Sequence, residues 1–115
     1  MTQPLLQSLL QESCIPLDKD AAKLNPAEAK QLGAVIEGWE LNSESITISK
    51  NFTFRNYYET ITFVNSVAWI AHQQDHHPNL HVSYNQCHVT YSTHSVGGLS
   101  RNDFICAARI NQLFN

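Results

Sequence analysis

Between Asn56 and Gln74 apolar residues return at steps of three and four, and on either side the spacing changes to two. That change of period constrains the fold more than any other feature of the chain. Tyr57, Ile61, Val64, Ala68 and Ala71 form one stripe, widened by Phe63, Val67 and Ile70, with Glu59, Thr62, Ser66 and Gln73 opposite. Asn56 and Glu59 stand at the spacing of a helix N-cap and its third residue. Pro78 disfavours helical geometry at His77, so the spacing predicts a helix that ends just before the double histidine.

Both flanks read as hairpins. Trp39-Glu40-Leu41 alternates, Asn42-Ser43 can turn, and Ile46, Ile48, Phe52 and Phe54 lie at even spacing among polar residues. Downstream, Leu80, Val82 and Tyr84 alternate, Asn85-Gln86 can turn, and Cys87, Val89 and Tyr91 alternate again. His88, Thr90, Ser92 and His94 have the opposite parity and face the other way. Asn25 followed by Pro26 and Glu28 predicts a first helix that fades near Gly33 or Val35. Ser100 to Asp103 is a capping box opening a last helix with Phe104, Ala107, Ala108 and Leu113. The order α-ββ-α-ββ-α predicts an α+β fold, a four-stranded antiparallel sheet with helices packed on one face. Residues 1–24, with a short patch of Leu5, Leu6, Leu9 and Leu10, read as an N-terminal leader, and residues 25–115 as a single domain.

Composition narrows the function classes. With 115 residues, 43% of them hydrophobic, the chain can bury one core. Charged residues make up 15%, below the usual quarter or so, which hints at surface covered by another subunit. The net charge is −3 and no Lys/Arg cluster exists, so direct nucleic-acid binding is not expected. Neither a signal peptide nor a membrane-spanning run is visible. Cys14, Cys87 and Cys106 are widely spaced and form no disulfide or zinc pattern. These features suit a cytoplasmic protein.

All six histidines fall between His72 and His94, in a stretch where Asn56 to Ser100 holds no Lys or Arg and only Glu59 and Asp75 as acids. Histidine is the side chain that titrates near neutrality. His76 and His77 share a bend fixed by Pro78, and Asp75 beside them can orient an imidazole. His94 ends the last strand, and strand end and helix end can meet at one rim of the sheet. Three imidazoles there could supply both a proton donor and an acceptor for acid–base chemistry. His81 and His88 are explained by strand alternation alone. A metal site is the rival reading, because His72 and His76 stand four apart, but the glutamate of the zinc-protease pattern is missing. Nucleophilic catalysis has little support: Cys87 and Cys106 read as buried thiols, and no serine sits in a G-x-S-x-G elbow. Capping alone explains Asp103, and Trp39 could be core or an aromatic wall for a flat ring.

The run Asp75-His76-His77-Pro78, then Tyr84-Asn85, His88 to His94, Gly98-Leu99-Ser100 and Asp103, resembles the pterin-4a-carbinolamine dehydratase family. The likeness covers roughly residues 26 to 112, with Gly38-Trp39 in the expected place. It implies removal of water from 4a-hydroxytetrahydropterin to give quinonoid dihydropterin, in recycling of the tetrahydrobiopterin-type cofactor of aromatic amino-acid hydroxylases. It implies no metal and no organic cofactor, and assembly as a homodimer or homotetramer. The family's three active-site histidines carry over onto His76, His77 and His94. Its substrate contacts carry over onto Asp75 and the turn of Ser92, Thr93 and Ser95, with Asp103 near the pocket and Trp39 as a further candidate. His77 or His94 is expected to protonate the leaving hydroxyl, with His76 holding the ring or removing the N5 proton. A non-catalytic pterin-binding or dimerisation module is the alternative. Mammalian members also bind a homeodomain transcription factor, a partner that no residue here indicates. His72 stands where the family often has an acid, Leu80 replaces a common aromatic, and the leader is longer than in many members.

Overall fold

The computed structural model describes residues 4–114; Met1–Gln3 and Asn115, the outer ends of the two segments set out from the sequence, lie outside them. Eight regular elements follow in order: α1 (Pro4–Gln11), α2 (Pro26–Gly33), β1 (Glu40–Leu41), β2 (Ile48–Thr53), α3 (Tyr57–Gln74), β3 (Asn79–Val82), β4 (Gln86–Tyr91) and α4 (Arg101–Asn111). From α2 onward this is the expected α-ββ-α-ββ-α, and the sheet is antiparallel in the order β1-β2-β4-β3.

Local chemistry accounts for the helix ends. At α2, Glu28 N–H donates to Asn25 Oδ1 (2.8 Å) and Asn25 N–H to the Glu28 carboxylate (3.0 Å). At α3, Glu59 N–H donates to Asn56 Oδ1 (2.9 Å), but the Glu59 carboxylate turns to Arg55, accepting its N–H and its guanidinium. The buried Thr60 hydroxyl lies 2.9 Å from Asn56 O and 3.0 Å from Tyr84 O, tying the start of α3 to the β3–β4 turn. The far end closes as a Schellman motif. His76 N–H reaches Ala71 O, Asp75 N–H reaches His72 O, and Asp75 takes the left-handed conformation (φ 50°) that glycine or asparagine usually fills. The helix therefore stops before Pro78 could obstruct it.

Strand parity sorts the sheet into two faces. Ile48, Phe52, Cys87, Val89 and Tyr91 are buried beneath the helices. The other face carries Asn51, His88 and His81 side by side in register, all exposed. The first hairpin is looser than Asn42-Ser43 suggests: residues 42–47 form a longer loop in which the Asn42 side chain accepts Ile46 and Thr47 N–H, with Ser45 at φ 58°. The second reverses one residue early, since Gln86 already belongs to β4 and accepts Ser83 N–H through its carbonyl.

Helix α4 is buried from Asn102 through Ala108, more than a helix with one apolar stripe would be. The sheet covers one side and the N-terminal segment covers another. Within that segment, read from the sequence as a leader, α1 buries Leu9 completely, and the chain after it crosses α4. Arg101 donates to both Glu12 carboxylate oxygens (2.6 and 2.7 Å), Arg109 donates to Glu12 O (2.6 Å), and Asn102 exchanges two hydrogen bonds with the Ile15 backbone. The Arg101 side chain draws the Glu12 carboxyl down to about 2. Leu113, expected in the apolar stripe of the last helix, falls beyond its end in a 3₁₀ turn and is exposed. No helix among the described residues is long and apolar enough to cross a membrane.

Candidate active site

The left-handed turn at Asp75 sends the two neighbouring histidines in different directions. His76 turns inward, its side chain 14% exposed, and its Nε2 lies 2.6 Å from Asp103 Oδ1. His77 stays exposed and lines, with His72, Asp75, Pro78 and Leu80, a cavity of about 380 Å³ against the small residues Ala68 and Ala71 of α3. That volume is within the range of small-molecule sites, roughly 300–1,000 Å³.

Asp103 is fully buried, and its place follows from two local features meeting. As third residue of α4 it accepts Ser100 N–H through Oδ2 (3.0 Å). The same oxygen accepts the Thr93 hydroxyl at 2.8 Å, and Thr93 Oγ1 lies 2.6 Å from Ser100 Oγ. The other oxygen meets His76. One carboxylate thus joins the end of α3, the end of β4 and the start of α4. A buried carboxylate needs such partners, since an unpaired charge in the interior is costly.

The ring of His76 also stacks on Tyr91, centroids 5.2 Å apart, and Tyr91 donates its hydroxyl proton to His76 O (3.1 Å). Burial alone would push the His76 pKa down; the hydrogen bond and charge of Asp103 outweigh it and raise the value above the ordinary 6.5. With Nε2 engaged, Nδ1 makes no hydrogen bond to the described residues, so it is the ring atom free to exchange a proton.

His94 is exposed and opens the 3₁₀ turn His94–Val96, which closes at Gly97 in the left-handed region (φ 71°). Its neighbour Thr93 is anchored in the Asp103 network, so His94 projects from a fixed root. Ser92 and Ser95 flank it and are exposed, whereas Thr93 is buried. The structure thus brings His76, Thr93 and Asp103 into one hydrogen-bonded group, with Asp75 and His77 at an adjacent cavity. His94 does not line that cavity. Trp39 is a core residue: its ring meets Phe52 and Tyr91, and its Nε1 donates to Asn111 Oδ1 (3.0 Å). His81 and His88 face away on the open side of the sheet. His72 stays on α3 while His76 lies past the left-handed Asp75, so the two are not stacked a turn apart as a helical metal pair requires. Among the described residues no group of three or more His, Cys, Asp or Glu side chains is arranged to hold a metal ion.

A histidine pair after a helix, a buried carboxylate behind the first of them and a third histidine on a strand-end turn can be compared with known families. The model of the pterin 4 alpha carbinolamine dehydratase family matches residues 22–113. The chain belongs to this family. It is 49% identical to a Nitrosospira multiformis protein named "Putative pterin-4-alpha-carbinolamine dehydratase", covering 95% of each chain. A Xanthomonas campestris pv. campestris protein of the same name is 50% identical, over 93% of this chain and 91% of that one. Among solved structures, a transcriptional coactivator/pterin dehydratase from Brucella melitensis is similar with a TM-score of 0.76 and 27% identity, over 81% of this chain and 99% of that one. A pterin dehydratase-like protein described as a RuBisCO assembly factor of the alpha-carboxysome shares the fold alone, with a TM-score of 0.58 and 20% identity, over 67% of this chain and 89% of that one.

Two members of this candidate site escaped the sequence reading. Tyr91 shares the parity of Cys87 and Val89 and reads as plain strand core. Ser100 reads as a cap. The available signal was their nearness in sequence to His94 and Asp103, because a strand ending at Tyr91 and a helix starting after Ser100 must bring their ends together across the short glycine loop.

Proposed function

We propose that the chain is a hydro-lyase, a 4a-hydroxytetrahydropterin dehydratase acting through His76, His77 and His94. The observation that carries this reading is His76 held at Nε2 by a buried carboxylate with Nδ1 free. The 4a-hydroxyl leaves poorly as hydroxide and well as water. An imidazolium, His77 or His94, gives its proton to that oxygen as the C4a–O bond breaks and the N5 lone pair forms the new double bond. His76 Nδ1 takes the N5 proton, and the resulting imidazolium is stabilised by Asp103. The product is quinonoid dihydropterin, and the protons balance without a nucleophile. Asp75, Ser92 and Ser95 are exposed around these groups and suited to contact a polar heterocycle. Asp103 and Thr93, with their polar atoms occupied, act as positioning residues. Trp39 would act from the core behind Tyr91 rather than as a wall against substrate.

Recycling of a tetrahydropterin cofactor, a functional link to an aromatic amino-acid hydroxylase, a cytoplasmic site of action and a homodimeric or homotetrameric assembly belong to the same proposal. The test is turnover. Purified protein should accelerate dehydration of chemically prepared 4a-hydroxytetrahydropterin, and His76→Ala or His94→Ala should slow it by about 10²-fold or more, the usual scale of lost acid–base catalysis. Wild-type protein that gives no acceleration overturns the proposal. The name of the Brucella relative, which couples coactivation with dehydration, favours one second reading, a pterin-binding or partner-binding module. That reading predicts binding without turnover, and full biological activity in folded histidine variants.

A further inference from the structure

Cys14 and Cys106 lie 92 positions apart in sequence, yet their sulfurs are 3.7 Å apart. We propose that they form a redox pair, a modification site at which a peroxide closes a reversible disulfide between the N-terminal segment and α4. This inference is independent of the dehydratase chemistry.

The approach of the two thiols is built into the fold on both sides. Cys106 sits inside α4, fully buried, where its backbone is fixed by helical hydrogen bonds. Cys14 is pinned where the segment crosses that helix. Its N–H donates to Gln74 Oε1 at the end of α3 (2.7 Å), and its thiol lies 3.5 Å from Asn102 O. The next residue, Ile15, exchanges hydrogen bonds with the Asn102 side chain through both N–H and C=O. A disulfide holds its sulfurs at about 2.05 Å, so closure needs an approach of under about 2 Å, the scale of side-chain rotation with slight backbone yielding.

The two thiols are unequal, which gives them different tasks. Cys14 is half-buried and within reach of a small oxidant, whereas Cys106 is enclosed. The contact with the Cys106 sulfur holds the Cys14 thiol below its ordinary value, and the same contact with burial pushes Cys106 up. Cys14 is therefore the attacking sulfur and Cys106 the resolving one. The Cys14 thiolate attacks one peroxide oxygen, the O–O bond breaks, and Cys14 sulfenic acid and hydroxide form. The Cys106 sulfur then attacks the sulfenyl sulfur, the S–O bond breaks, and water leaves with the Cys106 proton. Two thiols and one hydrogen peroxide give one disulfide and two waters. Cys87 is buried beneath the helices on the sheet and takes no part.

The pair adjoins the site, since Cys106 Sγ lies 3.9 Å from His76 O. The experiment treats the folded, full-length chain with hydrogen peroxide, then alkylates free thiols and maps peptides by mass spectrometry. The expected result is a chain lighter by the mass of two hydrogens, a Cys14–Cys106 cross-linked peptide, an alkylated Cys87 and full reversal by dithiothreitol. Cys106→Ser should trap Cys14 as a sulfenic acid that dimedone captures. Should that variant fail to fold, Cys14→Ser should leave Cys106 reduced and alkylatable after unfolding. Oxidation of Cys14 to sulfinic acid without a cross-link, a disulfide between two chains, or oxidation of Cys106 in Cys14→Ser overturns the proposal.

Discussion

A histidine whose Nε2 meets a fully buried carboxylate at 2.6 Å is held in one orientation, and its charged form is favoured. Burial works against that charge on His76, and Asp103 more than offsets it, with Asp75 adding a smaller contribution of the same sign. The folded pKa is raised, so the stabilisation is fully present below the unfolded value, about 6.5, and is lost as pH rises through the folded value. Urea unfolding of wild type against His76→Gln should therefore show a wild-type advantage that is larger near about pH 6 than near about pH 9. A difference that stays flat across this range would remove the ion pair from the account. Asp103→Asn makes the complementary test in catalysis. Without the carboxylate the His76 pKa falls, so the acidic limb of kcat/KM should move to lower pH while kcat drops. An unmoved limb would mean that Asp103 supports the fold without tuning His76.

At the scale of elements, α3 delivers the histidines and its two ends are set by different means. Asn56 caps the start through one hydrogen bond to Glu59 N–H. Asn56→Ala should cost about 1 kcal/mol in chemical denaturation and leave the dehydration rate per folded molecule unchanged. The other end depends on Asp75 in the left-handed region, which turns His76 toward α4 and leaves His77 outside. Strand parity makes a second division. His81 and His88 stand opposite one another on the exposed sheet face, so His81→Ala or His88→Ala should keep wild-type turnover under the assay that His76→Ala fails. Caps and parity were legible because each depends on residues within four positions of one another. The exact loop of the first hairpin was not, because the Asn42 side chain bonds backbone groups that no spacing rule names.

For the whole molecule, the decisive contact is between the N-terminal segment and α4. An apolar patch at Leu5, Leu6, Leu9 and Leu10 with no visible partner reads as a leader. In the fold, Leu9 is fully buried in the same core as Ile36, Val67 and Phe104. Leu9→Ala should lose about 2–5 kcal/mol of stability, the usual range for a buried leucine, and lower the melting temperature accordingly. A loss within about 0.5 kcal/mol, typical of a surface change, would show that the segment does not contribute to the core.

The histidine crowd, the helix bounded by Asn56 and Pro78, the two hairpins and the open-face position of His81 and His88 were all decided by the sequence. They follow from period, capping and turn chemistry, which act over a few residues. Only the tertiary structure decided that Asp103 faces His76, that Tyr91 lies under its ring, that Trp39 belongs to the core, and that Cys14 reaches Cys106. Asp103 looks the same in sequence whether its second oxygen meets water or an imidazole 27 positions away. The difference lies in where the ends of α3, β4 and α4 converge, and that convergence is set by packing over the whole sheet.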